Sequence, residues 1–345
     1  MSIMLSEIYE QPMAVQKAVD SGRETVLALV KELKRRNIRH VVIAARGTSD
    51  NAAVYAKYLI EIVCGKSVAL AAPSVTTLYD AVVDMSDCLV LGISQSGQAT
   101  DVVQTLAAAR ASGALTAGIT NVVDSPLTGV SDFVLLCQAG EERAVAATKT
   151  YTTSLALVAL LAGLWAENEE ILEGLQSLPQ KMMSALQLDK SIVNTVERYR
   201  YMQECTVLAR GLNQATALES ALKMTETSYL VCKPYSGADF LHGPVAMVNE
   251  GFPCILYAPD GKAYPFMVEL AEKLRDRGAE LIIFARDSSI LTLATRPLMI
   301  GPEVSELLSP ILYILPGQLW ACHLAQTRGQ NPDQPRGLSK VTLTR

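Results

Sequence analysis

CLVLGISQSGQATDVVQTLAAARASGA, from Cys88 to Ala114, decides how the rest of the chain is read. Its first six residues are apolar or glycine, as befits a strand covered on both faces of a parallel sheet. A turn of hydroxyls, an amide and a glycine follows, and a helical stretch opens near Thr100 and Asp101. After ASGA the next apolar run, LTAGITN, begins, so the order is strand, loop, helix, strand. That order predicts an α/β sheet with helices on both faces, whose ligands gather in the loops that follow the strands.

Outward from this stretch the same unit repeats. On the N-terminal side HVVIAARG enters a glycine turn and TSDNAAVYAKYLIEIVCG continues with helical periodicity. On the C-terminal side DFVLLCQAG leads to a long helix around TYTTSLALVALLAGLW. The second half replays the pattern: TVLARG into LNQATALESALKMTETSYL, PCILYAPDG into a helix ending in DRGAE, then LIIFAR, PLMIGPE and SELLSPILYILPGQLWACHLA. A repeat at this offset, roughly 165 residues, is duplication of a whole domain. We therefore read N-terminal helices over 1–36, a first domain over 37–166, a polar helical linker over 167–203, a second domain over 204–326 and an irregular tail over 327–345. At 345 residues the length suits two domains.

Composition narrows the class of partner. Half the residues are hydrophobic and the net charge is -5. A polyanion partner is disfavoured, because nucleic-acid affinity draws on clustered Lys and Arg. A single phosphate is not, since backbone N–H groups, hydroxyls and a helix N-terminus hold it without showing in the net charge. The seven cysteines are scattered with no CxxC pair and read as reduced and buried. The opening MSIMLSEIYEQP lacks the order of a secretion signal, and the longest apolar run, Leu155 to Ala166, is too short to span a bilayer. These features lead to the expectation of a cytoplasmic protein with no membrane association. VVIAARGTSD lacks the GxGxxG spacing of a dinucleotide site, no metal-ligand cluster is spaced for binding, and no cofactor is expected.

Three loops are placed to carry chemistry. SQSGQAT (Ser94 to Thr100) can aim backbone N–H groups, hydroxyls and a helix dipole at one phosphate; an ordinary turn with a capped helix is the plain alternative. ARGTSDN (Arg46 to Asn51) is hydroxyl-rich at a strand end, and GEERAVAATKTYTT (Gly140 to Thr153) sets charges around a small-residue stretch. On the helix ALESALKMTE, Glu219, Lys223 and Glu226 recur at i, i+4 and i+7 on one face, as either a solvated ion pair or a buried polar group needing partners. Of the three histidines, His40 precedes a strand and His323 lies in an apolar helix, both structural in character; His242 lies in the loop FLHGP, where it can exchange protons near neutrality.

Taken in order, GTS (Gly47 to Ser49), SQSG (Ser94 to Gly97), VAATK (Val145 to Lys149), ALESALKMTE (Ala217 to Glu226), LHGP (Leu241 to Pro244) and DQPRGLSKVT (Asp333 to Thr342) resemble the double sugar isomerase (SIS) domain family. This family includes the isomerase half of glucosamine-6-phosphate synthase. The resemblance implies two tandem SIS domains, each a flavodoxin-like, doubly wound parallel sheet between helices, followed by an ordered C-terminal tail. It implies that Gly47, Thr48, Ser49, Ser94, Gln95 and Ser96 hold a sugar phosphate. Ala99 stands where the family usually has threonine, with Thr100 one step on as the substitute, and Ala147 replaces a serine, leaving Val145 to give backbone contacts only. By the same resemblance Glu226 shuttles a proton between C1 and C2, supported by Glu219 and Lys223, and His242 opens the sugar ring from the neighbouring subunit of a homodimer. Lys340, preceded by Ser339 where alanine is usual, forms a Schiff base with the open-chain ketose.

The synthase also needs a glutaminase domain whose catalytic cysteine follows the initiator methionine, and here residue 2 is Ser. The expectation is an enzyme that works on a phosphorylated amino sugar without glutamine: a glucosamine-6-phosphate deaminase yielding fructose 6-phosphate and ammonia. Another ketose or amino-sugar phosphate isomerase, a fructosamine-phosphate deglycase and an aminotransferase-like isomerase are the enzymatic alternatives. A sugar-phosphate sensor is the non-enzymatic one, against which stand the short, weakly basic N-terminus and the presence of Glu226, His242 and Lys340. In the second copy the matching loops, ARGLN and APDGK, have lost the hydroxyl pair, so binding is expected in the first copy and chemistry on the helix of the second.

Overall fold

The computed structural model describes residues 2–340. It contains two five-stranded, all-parallel sheets. The first is built from β1 (His40–Ala44), β2 (Ser67–Leu70), β3 (Cys88–Ile93), β4 (Leu115–Thr120) and β5 (Phe133–Leu136), in the order β2-β1-β3-β4-β5. The second comprises β6 (Glu204–Ala209), β7 (Val231–Ser236), β8 (Pro253–Ala258), β9 (Glu280–Ala285) and β10 (Arg296–Met299), in the order β10-β9-β8-β6-β7. Both are the flavodoxin order, in which the strand sequence reverses direction next to the first strand and opens a crevice there. Two tandem α/β domains of this kind are what the repeat predicted.

Two of the four edge strands, β2 and β7, are absent from the sequence reading, whereas β5 and β10 fall within DFVLLCQAG and PLMIGPE. SVAL shows one buried residue in four, and VCKPYS carries Lys233 and Pro234, both of which fit only an edge whose free side faces water. The N-terminal region is one helix, Ile3–Arg35, rather than two.

By chain contacts the molecule divides into two compact units. The first-sheet unit holds Met13–Glu142 and Ala147–Gln176, with Ser339 and Lys340; the second-sheet unit holds the chain up to Pro12, Arg143–Ala146 and Ser177–Leu338. The polar stretch over 167–203 is thus divided as well. Its helices Glu169–Ala185 and Asp189–Val196 bury Ile171, Leu175, Leu178, Met182, Ile192 and Val196.

In the first-sheet unit, paired glycines bring the key helix close to the sheet. Gly92 of β3 lies in register with Gly118 of β4. A Cβ on Gly92 would come 2.8 Å from Leu106 Cδ1 and 2.9 Å from Leu127 Cδ1, so glycine there lets the helix Thr100–Ala111 seat Leu106 directly on the strand. Alanine at Gly92 would overpack this core by about 1–3 kcal/mol. Among the described residues no helix is long and apolar enough to cross a membrane. All seven cysteines are free thiols; six are buried and Cys64 is half-buried.

Candidate functional site

Two polar constellations stand out, one in each unit. In the first-sheet unit, the loop after β1 and the loop after β3 both end at the reversal of strand order. Gly47 caps the helix Thr48–Cys64 at φ 55°, a left-handed value that costs other residues more than glycine. After β3, Ser94 donates its N–H to Ile119 O (3.0 Å) and accepts from Gly97 N at 3.1 Å, tying the turn back on itself. Gly97 sits at φ 64° with the Ser125 side chain where a Cβ would point, so this turn tolerates no larger residue. Ser96 Oγ accepts from Gln98 N (3.2 Å), and Ala99 is the N-cap of the helix that begins at Thr100. Thr100 therefore occupies the first helical position and not the cap. Thr48, Ser49 and Gln95 line a small cavity of about 20 Å³ together with Ala147, Thr150 and Tyr151, so the structure gathers all three candidate loops of this unit.

The same unit contains a residue the sequence reading missed. Glu142 is buried, and its carboxylate accepts from Thr148 N (2.9 Å), Thr150 N (3.0 Å), Thr150 Oγ1 (2.9 Å) and Lys340 Nζ (2.9 Å). Burial pushes its pKa up, but the Lys340 ammonium and the two backbone N–H groups outweigh that and hold it below the usual carboxylate value. The signal available in sequence was a charge set inside a small-residue stretch, GEERAVAATK.

In the second-sheet unit the helix Gln214–Ser228 carries Glu219, Lys223 and Glu226. They are not a solvated stripe. Lys223 and Glu219 are fully buried, and Lys223 Nζ lies 3.3 Å from Glu219 Oε1 and 2.6 Å from Glu226 Oε2. Burial works to lower the lysine pKa, yet the two carboxylates prevail and hold it above the ordinary lysine value. Glu226 is the open end of this network, with a side chain 22% exposed.

The tail is anchored in this unit too. The Asp333 carboxylate accepts from Ile3 N (2.9 Å) and Met4 N (2.8 Å), capping the first helix, and Arg336 stacks over Tyr229 at 4.1 Å. Val145 donates its N–H to Asp333 O at 3.1 Å, so that backbone donor is taken by the tail. Buried Glu7 accepts from Arg143 N, which holds the same segment. His242 is exposed just after the short helix Gly237–Leu241. His40 bonds Ser67 and His323 bonds Asp189, both within structural contacts. Of the DQPRGLSKVT motif, Val341 and Thr342 lie outside the described residues.

The two sheets differ at equivalent loops. Where the first-sheet loop after β3 offers hydroxyls, the loop after β8 is filled from within: Glu306 accepts from Lys262 N (2.7 Å) and Ala263 N (3.2 Å) at the start of the helix Tyr264–Arg275. A protein carboxylate takes the place where a helix N-terminus would receive an anion.

The SIS-domain profile matches residues 25–164 and 203–328. This chain belongs to the SIS family. The SIS chain is 36% identical over 347 residues to a glutamine–fructose-6-phosphate aminotransferase (isomerizing) of Thermococcus kodakarensis, covering 98% of itself and 57% of that relative. It thus spans little more than half the length of the curated relatives it matches. The C-terminal domain of glucosamine-fructose-6-phosphate aminotransferase from Francisella tularensis superposes with a TM-score of 0.88 at 30% identity, over 97% of this chain and 98% of that one. A provisionally classed phosphosugar isomerase of Silicibacter pomeroyi DSS-3 gives a TM-score of 0.87 at 34% identity, over 96% and 100%.

Proposed function

We propose that this SIS protein is a phosphosugar isomerase-deaminase that converts glucosamine 6-phosphate and water to fructose 6-phosphate and ammonia. The observation that carries the reading is Glu226: a carboxylate bonded on one side to a buried lysine and open on the other. Such a group can take a proton from one carbon and return it to the next, while Lys223 and Glu219 hold it in place. The names of the relatives, which convert fructose 6-phosphate, support the substrate class.

In this reading Thr48, Ser49, Ser94, Gln95, Ser96 and Thr100 hold the phosphate, with Gly47 shaping the loop and Val145 and Ser339 contributing close contacts. His242, supplied by the second subunit of a homodimer, protonates the ring oxygen and opens the ring. Glu226 removes the proton on C2 of the open-chain amino sugar and delivers it to C1, which leaves an imine at C2. Lys340 gives an ammonium proton to the imine nitrogen, its freed amine adds to that carbon, and ammonia leaves as the Schiff base forms; water then releases the ketose and restores the amine. Glu142 orients Lys340. Reduced thiols throughout fit a cytoplasmic enzyme.

The decisive test is incubation of the purified protein with glucosamine 6-phosphate, with ammonia and fructose 6-phosphate measured together. Equal release of both is expected. Isomerisation of a phosphosugar without ammonia would replace deamination by plain aldose/ketose isomerisation, and binding without turnover would make the protein a sensor.

A further inference from the structure

Arg46 is the residue before Gly47 in the loop after β1, and it reaches across to the other hydroxyl loop. Its Nε donates to Asp101 Oδ2 at 2.5 Å. Asp101 lies in the first turn of the helix Thr100–Ala111 and is 1% exposed, while the Arg46 side chain is 51% exposed. A second acid, Asp50, lies in the first turn of the helix Thr48–Cys64. Burial pushes its carboxyl up and the Arg46 charge pulls it back. Each of the two helix starts that flank the phosphate loops therefore carries an acid, and one guanidinium acts on both.

Electrostatics makes this arrangement consequential. A helix N-terminus is worth about half a positive charge, and an acid in its first turn uses that field. A sugar phosphate brings about -1.5 to -2 charges to the same place. Left alone, buried Asp101 would repel it; paired with a guanidinium that stays charged at any working pH, it does not. The Nε of Arg46 is engaged by Asp101 while half of the side chain stays exposed.

Resting on the phosphosugar reading above, we propose that Arg46 is a positioning residue for the sugar phosphate: it neutralises Asp101 and so lets the start of the Thr100–Ala111 helix accept a dianion. This is a role in binding, separate from proton transfer on the second-sheet helix.

The test is calorimetric binding of fructose 6-phosphate, with KM and kcat for glucosamine 6-phosphate, on R46Q, D101N and R46Q/D101N. R46Q is expected to weaken binding tenfold or more and raise KM to match, with kcat within about threefold of the parent. Removing the acid as well should recover most of that loss, and D101N alone should bind at least as tightly as the parent. The inference is overturned if R46Q binds within twofold of the parent, if the double variant binds no better than R46Q, or if D101N binds more than threefold weaker. D101N decides the matter even where R46Q does not fold. A parent protein that binds no fructose 6-phosphate overturns the phosphosugar reading itself, and this inference with it.

Discussion

Lys340 Nζ lies 2.9 Å from Glu142 Oε2, so the last described residue of the chain is pinned to a carboxylate with no exposed side-chain surface. The lysine keeps a quarter of its side chain exposed, and the ion pair sets where its nitrogen can be.

Glu142→Gln removes the charge that holds this nitrogen. Loss of the charge-assisted hydrogen bonds should cost about 1.5–3 kcal/mol. With fructose 6-phosphate and borohydride, the parent should be modified at Lys340 and the variant at a tenth of that yield or less, read by peptide mass spectrometry. Because the folded pKa of Glu142 is lowered, its contribution to stability is present above the ordinary value near 4.5 and is lost as pH falls through the folded one. Melting temperature between pH 3 and 7 should therefore fall less steeply on the acid side in Glu142→Gln.

Lys223→Met leaves Glu219 buried without its cation. Breaking a buried pair by removing one partner costs about 3–5 kcal/mol, measurable by urea denaturation. Glu219→Leu added to Lys223→Met should recover part of that loss. The sign with pH is opposite to that of Glu142. The folded pKa of Lys223 is raised, so its stabilisation is complete below the ordinary lysine value of 10.5 and declines as pH climbs through the folded one.

Glu306→Ala empties the internal anion position in the second sheet. Lys262 N and Ala263 N lose their acceptor, at a cost of about 1 kcal/mol, the scale of a lost helix cap. Sulfate at millimolar concentration should raise the melting temperature of the variant more than that of the parent. Equal shifts would mean that the carboxylate is not standing in for an anion.

Mixing Glu226→Gln with His242→Ala chains tests whether the histidine acts across a dimer. Each variant alone should lose at least a hundredfold in ammonia release. A 1:1 mixture should regain up to about a quarter of parental activity per protein, because about half the dimers are hybrids and one of the two composite sites in each keeps both native residues. No recovery would place both residues in the service of the same chain.

Much of the architecture was legible because buried parallel strands are written as continuous apolar runs. CLVLGI, LTAGIT and ELIIFA announce themselves that way, and all lie inside sheets. β2 and β7 did not, because SVAL is only four residues long with one of them buried, and VCKPYS is interrupted by Lys233 and Pro234. At the candidate site, hydroxyl-rich loops and the i, i+4, i+7 spacing were readable from local sequence. Glu142 and Arg46 were not, since nothing local distinguishes a charge that will be buried against a residue 198 or 55 positions away.

The sequence by itself determined the duplication, the alternation of strand and helix in each copy, the hydroxyl-rich turn at Ser94 to Gly97 and the face shared by Glu219, Lys223 and Glu226, all of which follow from short-range periodicity and turn chemistry. Tertiary structure decided what those charges are. It buried Lys223 between two acids, gave Lys340 to Glu142, set Arg46 against Asp101 and filled the second sheet's anion position with Glu306. Burial and charge pairing depend on which distant segments meet, and that is decided only when the chain has packed.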